Sequence, residues 1–323
     1  MRQSLTAARK IAAFAVFAFI LSVPAFAQIS LRKALDYDGD GKADLSIFRP
    51  SNSIWYIQKS SDSGAIYQTF GIPNEDFMTP GDYDGDGKSD ISVFRDTTGV
   101  WYRLNSATNT FSAFLFGITG DEPVARDYDG DGKTDLAVVR RTNGVMIWYI
   151  LRSSDGAFAA VQFGAATDFT APGDYDGDGK FDFAVQRPSA SPTGAATFYI
   201  QKSADNSVSI ITFGFGTDLI APGDYDGDGK TDIAVVREGT TMGSQLIWYI
   251  LRSSDGGVSA YGFGATGSDL NVQNDYDGDG KTDVAIWRDT TGVFYVLKSS
   301  DGGYMIAQWG APNDFPVAGY DTH

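Results

Sequence analysis

The chain has 323 residues, and its 41 acidic residues outnumber its 25 lysines and arginines, which gives a formal net charge of −16 at pH 7. This acidity disfavours nucleic acid and anionic membrane surfaces as partners. Cysteine is absent, so disulfide bridges and thiolate sites are excluded, and because the one histidine is His323 a zinc centre is disfavoured.

The first 27 residues have the pattern of an export signal. A basic start (residues 2–10) precedes an apolar run (residues 11–23), and residues 25–27 read Ala-Phe-Ala. A membrane anchor is the alternative, but the run is short for a span and the cleavage pattern follows it closely. We expect cleavage after Ala27, no membrane span afterwards, and a secreted or cell-surface location, with the periplasm as an alternative.

One nine-residue phrase, Asp-Tyr-Asp-Gly-Asp-Gly-Lys-x-Asp, organises the rest of the chain. Its six copies lie 45 to 51 residues apart and begin at Asp36, Asp82, Asp127, Asp174, Asp224 and Asp275. Such a period is typical of solenoids, propellers and arrays. Each copy holds four aspartates and one lysine, so the acidic excess lies in these copies. Carboxylates this close repel one another unless a cation lies between them.

Strand-like segments accompany each copy in a constant order. Around the fifth copy, residues 233–237 and 247–251 are short, apolar and rich in branched side chains, which predicts buried strands. A turn at residues 253–256 leads to a third strand at 258–263, and a shorter strand at 218–223 precedes the copy. No segment has helical periodicity. Six units of four strands predict an all-β protein, a β-propeller of six blades.

A linear β array is the competing architecture, because it would leave exposed edges where a ring buries its first and last units. Residues 313–321 repeat the segment that precedes a copy and then stop, whereas residues 30–35 match that segment poorly. We therefore expect the C-terminal strand to complete the first blade and close the ring, in one domain over residues 28–323. A propeller of seven blades is the alternative.

Other features keep step with the phrase. An arginine ends each strand that follows a copy, an aromatic pair comes next, and an aromatic–glycine pair closes the unit. Bridging between strands and core packing are the roles that this phase favours; binding of an acidic ligand or stacking on sugar is the alternative. The connections at residues 188–196 and 238–245 are longer than their counterparts, which indicates either ligand specificity or neutral drift.

Each copy offers oxygen donors suited to a hard divalent cation. Calcium takes about six to eight oxygens from carboxylates, carbonyls and water, whereas magnesium needs stricter octahedral geometry, so calcium is favoured. We expect carboxylates from positions 1, 3, 5 and 9, a backbone carbonyl from the lysine at position 7 with its ammonium pointing outward, and a sharp turn at the glycine of position 6. The predicted ligands are Asp36, Asp38, Asp40, Lys42, Asp44, Asp82, Asp84, Asp86, Lys88, Asp90, Asp127, Asp129, Asp131, Lys133, Asp135, Asp174, Asp176, Asp178, Lys180, Asp182, Asp224, Asp226, Asp228, Lys230, Asp232, Asp275, Asp277, Asp279, Lys281 and Asp283.

The phrase looks like an EF-hand loop in its first half only. An EF-hand has a bidentate glutamate at position 12, where this chain has an apolar residue in all six copies. The aspartate at position 9 must therefore close the site. Plain polar turns are the alternative, but a hairpin needs only one Asp-Gly or Asn-Gly, and four unpaired carboxylates oppose folding.

A loop of this kind between two strands, with a trailing Phe-Gly, resembles the FG-GAP/VCBS repeat family of integrin α-subunits and many bacterial exported proteins. The resemblance covers residues 30–321. It implies a propeller with calcium in blade-edge loops, and a role in adhesion, ligand binding or cell-surface association. The chain departs from the integrin propeller in having six units instead of seven, with every loop intact.

The sequence contains no catalytic motif such as a P-loop or Gly-x-Ser-x-Gly, and its clustered carboxylates occur six times where a catalytic site occurs once. We expect no enzymatic activity. We expect a monomeric, exported, calcium-binding module that binds an extracellular protein or glycan. A purely structural surface or matrix protein is the main alternative, and a lectin-like or enzymatic propeller is the lesser one.

Overall fold

A computed structural model describes residues 35–191 and 193–317 of the chain. These residues form 24 β-strands and no α-helix. The strands are β1 (Leu45–Arg49), β2 (Ile54–Gln58), β3 (Ala65–Thr69), β4 (Asp76–Met78), β5 (Ile91–Arg95), β6 (Val100–Leu104), β7 (Phe111–Leu115), β8 (Glu122–Pro123), β9 (Leu136–Thr142), β10 (Val145–Leu151), β11 (Phe158–Ala165), β12 (Phe169–Thr170), β13 (Phe183–Arg187), β14 (Ala195–Gln201), β15 (Val208–Phe215), β16 (Leu219–Ile220), β17 (Ile233–Arg237), β18 (Gln245–Leu251), β19 (Val258–Ala265), β20 (Asp269–Asn271), β21 (Val284–Arg288), β22 (Val293–Leu297), β23 (Tyr304–Gln308) and β24 (Phe315–Pro316).

The strands are arranged in six antiparallel sheets of four strands each. Blades two to six use consecutive strands, from β4–β7 to β20–β23, and each begins with a short inner strand. Blade one has the order β24-β1-β2-β3. The sheets form a ring, so the chain is an all-β, six-bladed β-propeller, as the repeat predicts, and the described residues contain no seventh sheet.

The first and last strands of the described residues meet in blade one. Phe315 and Pro316 pair with Phe48 and Ile47 of β1, and the N–H of Val317 donates a hydrogen bond of 2.9 Å to the carbonyl of Ser46. The C-terminal strand thus completes the first blade, as expected, and covers an edge that would otherwise be exposed. The predicted signal segment (residues 1–27), residues 30–34 and residues 318–323 lie outside the described residues.

The core lies between the blades, because the second strand of each blade is buried on both faces. Such strands need nearly continuous apolar sequence, which their sequences provide. The largest buried side chains are those of Trp55, Trp101, Trp148, Trp248 and Trp287. Each indole N–H donates to a backbone carbonyl at 2.7 to 3.2 Å, so these rings pack in the core and are not exposed for stacking on sugar.

The repeated arginine joins the inner strand of a blade to its other strands. Arg237 donates two hydrogen bonds of 2.8 and 2.7 Å to the carboxylate of Asp218, and its guanidinium carbon lies 4.6 Å from the ring centroid of Tyr249. Asp218 also accepts the N–H of Phe215 at 2.8 Å. The bridging role expected for the arginine is confirmed. The equivalent pairs are Arg49–Asp314, Arg95–Asp76, Arg140–Asp121, Arg187–Asp168 and Arg288–Asp269.

Residues 35–191 and 193–317 contain no helix that is long and apolar enough to cross a membrane.

Candidate metal centres

The six aspartate-rich loops lie at one end of the ring. In blades two to six, each loop connects the short inner strand to the buried second strand; residues 224–232, for example, join β16 to β17. In blade one, residues 36–44 lead into β1, and the inner strand is β24. The turn within this loop depends on Gly227 and Gly229, whose φ angles of 78° and 94° lie in the left-handed region. The expected sharp turn at position 6 is therefore present.

The aspartates at positions 1 and 9 hold the loop backbone in place. In the fifth loop, Asp224 accepts hydrogen bonds from the N–H groups of Gly227 and Gly229 at 2.6 and 3.1 Å. Asp232 accepts the N–H groups of Tyr225 and Ser253 at 2.9 and 2.7 Å. Both carboxylates are buried, which fixes the direction of two candidate ligands before any ion arrives.

Aspartates of the first five loops converge as a metal site requires. The described residues contain six groups of at least three carboxylates with one oxygen each within 4.8 Å of the others. Two oxygens on one calcium ion, each at about 2.3–2.6 Å from it, are separated by up to about 5 Å, so the groups fit the ion. Five of the groups are Asp36, Asp38 and Asp40; Asp82, Asp84 and Asp86; Asp127, Asp129 and Asp131; Asp174, Asp176 and Asp182; and Asp224, Asp226 and Asp232.

The groups differ in which aspartate completes them. Positions 1 and 3 occur in all five named groups, position 5 completes the first three, and position 9 completes the fourth and fifth. The position 9 aspartates of the first three loops lie nearby and accept backbone hydrogen bonds. The lysine carbonyls of position 7 stay predicted ligands. The donor set as it stands is all oxygen and strongly anionic, which suits a hard divalent cation.

Burial makes the ionised form of these carboxylates unfavourable when no cation is present. Desolvation raises the pKa of Asp44 and Asp232 to about 6 and that of Asp135 to about 7, against the lowering effect of their backbone hydrogen bonds. The same cause raises the pKa of Asp127 and Asp174, at position 1, to about 6. Neighbouring aspartates of the same loop add to the increase. A bound cation would remove this penalty.

A serine turn from the same blade orients the outer carboxylates. The hydroxyl of Ser253 donates to Asp228 at 2.9 Å, and that of Ser254 donates to Asp226 at 2.6 Å. Sequence analysis identified residues 253–256 only as a turn and missed this contact with the loop. The sequence does contain a signal for this contact: in every blade the first of these two positions is serine and the second is serine or alanine.

Neighbouring loops are joined to one another around the ring. The N–H at position 8 of each loop donates to the carbonyl at position 1 of the preceding loop, at 2.6 to 2.8 Å. The lysine of position 7, which we expected to point outward, lies beside the glycine at position 4 of that preceding loop. The bonds are Ser89 to Asp36, Thr134 to Asp82, Phe181 to Asp127, Thr231 to Asp174, Thr282 to Asp224 and, closing the ring, Ala43 to Asp275.

Comparison with known proteins agrees with this architecture. The profile of the FG-GAP-like repeat matches residues 36–93 and 127–185. No curated protein matches the sequence. Among solved structures, TolB from Acinetobacter baumannii is similar with a TM-score of 0.56 and 18% identity, over 84% of this chain and 65% of that one. This chain therefore spans somewhat less than two thirds of the TolB structure.

A second similar structure is a lectin from Agrocybe aegerita, described as recognising non-reducing terminal N-acetylglucosamine. It has a TM-score of 0.51 and 15% identity, over 82% of this chain and 89% of that one. Identities this low establish a shared fold and not a shared ligand. The two matched segments each contain two complete aspartate loops. Together with the observed blades they lead to one conclusion: the chain is a six-bladed β-propeller with FG-GAP-like repeats at residues 36–93 and 127–185.

Proposed function

We propose that this chain is an exported, calcium-binding β-propeller that acts as a binding module for an extracellular protein or glycan. The observation that carries the proposal is the convergence of three carboxylates in each of the first five aspartate loops, at one end of the ring. We further propose that it works as a monomer outside the cytoplasm, at the cell surface, in the medium or in the periplasm. Catalysis is not part of the proposed role.

Calcium is proposed because the donor groups are oxygens from short, rigid loops. Extracellular sites of this type bind calcium with Kd values of about 0.1–1 mM, which matches calcium levels outside cells better than those inside. Each site would stabilise the folded state by about 1.4 kcal/mol at tenfold saturation. Six sites would then contribute about 8 kcal/mol, comparable with the whole stability of a typical domain.

A binding role is proposed because propellers present a broad, rigid surface whose connections vary without disturbing the blades. The N-acetylglucosamine recognition described for the A. aegerita lectin makes saccharides a reasonable class to include in a screen. A purely structural protein is the second candidate. The hydrogen bonds between successive loops favour it, because they give calcium a mechanical role whether or not a ligand binds.

The test is a screen of the purified protein against glycan and extracellular-protein arrays, with calcium and with EDTA. Reproducible hits that disappear in EDTA support the binding module. The absence of hits in both conditions, with calcium uptake and an intact fold, supports the structural protein instead. Absence of calcium uptake contradicts both versions.

A further inference from the structure

A cavity of about 540 Å³ opens at the mouth of the ring opposite the six loops. Blades three, four and five line it, through the starts of their inner strands and the turns that precede them. The aspartate loops follow the other ends of these inner strands, so the cavity and the candidate metal centres lie at opposite ends. Its size falls within the range of about 300–1,000 Å³ that is usual for ligand sites.

The wall of this cavity contains a buried amide that has no partner. Gln186 of β13 is fully buried, and neither its Oε1 nor its Nε2 atom has a hydrogen-bond partner. Buried amides are normally paired, because desolvation without a hydrogen bond is unfavourable. Gln186 thus presents one acceptor and two donors for which the described protein supplies no match.

Glutamine at this position is an exception within the repeat. The corresponding residue of every other blade is apolar and packs between blades: Phe48, Phe94, Val139, Val236 and Trp287. The fold itself therefore does not require a polar side chain at this place. A residue that weakens the core at one blade of six, and faces a cavity there, is best explained by a ligand.

The other polar groups of the cavity wall are held in fixed positions. Arg141 donates to Glu122 at 2.9 Å and to the backbone carbonyl of Asp168 at 2.6 Å, and Thr170 donates to Glu122 at 3.0 Å. The charges of Arg141 and Glu122 cancel, and the other acidic residues of the wall, Asp168 and Asp218, are paired with Arg187 and Arg237, so the cavity does not select an ion. The ring of Phe169, 43% exposed, adds a flat apolar surface beside these groups.

A second cavity elsewhere in the ring has no counterpart of the buried amide. It lies at blades one and two, has a volume of about 270 Å³, and is lined by Phe48, Phe77, Phe315 and prolines. Phe48 stands there where Gln186 stands in the larger cavity. The backbone of Ser189, which follows β13, lies against Gly216, and Gly216 lines the larger cavity.

From this combination we infer that the larger cavity binds the end of a neutral saccharide. Gln186 lies in the wall of the cavity with its amide buried. A rotation of its side chain toward the cavity would let the amide form hydrogen bonds with sugar hydroxyls, which both donate and accept, and Phe169 would pack against the apolar face of a sugar ring. The inference rests on the proposed function and specifies its ligand and its site. Selection arises because a ligand without hydroxyls would leave the buried amide unpaired.

The test is titration of the calcium-loaded protein with glucose, galactose, mannose, N-acetylglucosamine and their disaccharides, followed by saturation-transfer NMR and calorimetry. We expect at least one to bind, and Gln186→Val to weaken that binding at least tenfold. The same variant should match or exceed the wild-type Tm, because valine occupies this position in blades three and five. Phe169→Leu should weaken binding several-fold without lowering the Tm.

Phe48→Leu, in the smaller cavity, is the matched control and should leave saccharide binding unchanged. The inference is overturned by the absence of saccharide binding, by binding that survives Gln186→Val, or by a lower Tm in that variant. Binding of peptides from a random library that none of the sugars displaces would also overturn it. Calcium uptake, measured on the same samples, separates the two proposals: uptake without sugar binding removes only this inference, and sugar binding without uptake removes the calcium-binding function.

Discussion

At the scale of single residues, the chain places its charges where another group must balance them. The repeated arginines balance the inner-strand aspartates such as Asp218, whose side chain is fully buried. The loop carboxylates of Asp135 and Asp232 are buried beside further aspartates, and burial raises their pKa. The first arrangement is complete within the protein, and the second calls for a cation.

This difference predicts an opposite pH response with and without calcium. In calcium-free protein, the folded pKa of about 6 or 7 for Asp44 and Asp135 lies above the unfolded value of about 3.9, so the folded state binds protons more tightly. Its free energy of unfolding should then decrease as the pH rises from about 4 to about 7, with the full penalty above the folded pKa.

Calcium needs the ionised carboxylates, so the stabilisation that it provides should decrease on acidification. We predict that the difference in Tm between calcium-loaded and EDTA-treated protein is larger at pH 7.5 than at pH 5. Thermal unfolding at the two pH values measures it. A difference that is equal at both pH values, or larger at pH 5, would contradict the assignment of these aspartates as ligands.

The arginine–aspartate pair gives a second prediction at this scale. Asp218→Asn removes the charge that accepts two hydrogen bonds from Arg237, and should lower the free energy of unfolding by about 2 kcal/mol. Lys298→Ala, which breaks the exposed pair with Asp301, is the control and should lower the free energy of unfolding much less, because solvent screens an exposed pair. Urea denaturation measures the free energy of unfolding of both variants. Equal decreases would show that the buried pair stabilises the fold no more than the exposed pair does.

At the scale of elements, each candidate metal site combines two segments of one blade. The loop between β16 and β17 supplies the carboxylates, and the turn after β18 supplies Ser253 and Ser254 to orient them. The loop also contacts the loops before and after it through backbone hydrogen bonds. These bonds use backbone groups, whereas each named carboxylate group comes from a single loop, so one loop can lose its ion while its neighbours keep theirs.

The double variant Asp226→Asn with Asp228→Asn should remove one calcium ion and leave the ring folded. Without two charged donors the fifth site should bind weakly, and at tenfold saturation the loss is about 1.4 kcal/mol, or a few degrees in Tm. Calorimetric stoichiometry should be lower by one ion than in the wild type. Asp255→Asn, on the exposed turn, is the control; an unchanged ion count in the double variant would show that these carboxylates are not ligands.

Features with a local sequence signal could be predicted, whereas contacts between residues distant in sequence could not. The four strands of a unit, the loops and the bridging arginine follow from local pattern, because strand and turn signals are short-range. The partner of Arg237 could not be assigned, since Asp218 lies 19 residues earlier among many aspartates. The bonds between loops join residues a whole repeat apart, and periodicity alone does not reveal them. Aligning the six units by their strands identifies Gln186 as the one polar residue at a position that is apolar in the other five.

At the scale of the whole molecule, the ring is closed by a small element. The strand β24 contributes only two residues to blade one, but Asp314 beside it forms the buried ion pair with Arg49. Closure by the opposite end of the chain joins the first and last repeats and removes two exposed edges. The stability of the ring should therefore depend on a few C-terminal residues more than their number suggests.

Ending the chain after residue 310 should lower the Tm by considerably more than ending it after residue 317. The shorter chain loses β24, the partner of Arg49 and the hydrogen bond from Val317 to Ser46. Thermal unfolding of the two chains in calcium measures the effect. A shared Tm would mean that the ring does not depend on this closure.

In this interpretation, calcium ions bind to the six aspartate loops and thereby stabilise the ring. Calorimetric titration of the metal-free protein with calcium, paired with thermal unfolding of the same samples, measures both effects. We expect uptake that approaches six ions per chain and a Tm that rises by more than about 10 °C on saturation. Absence of uptake, or uptake that leaves the Tm unchanged, would contradict it.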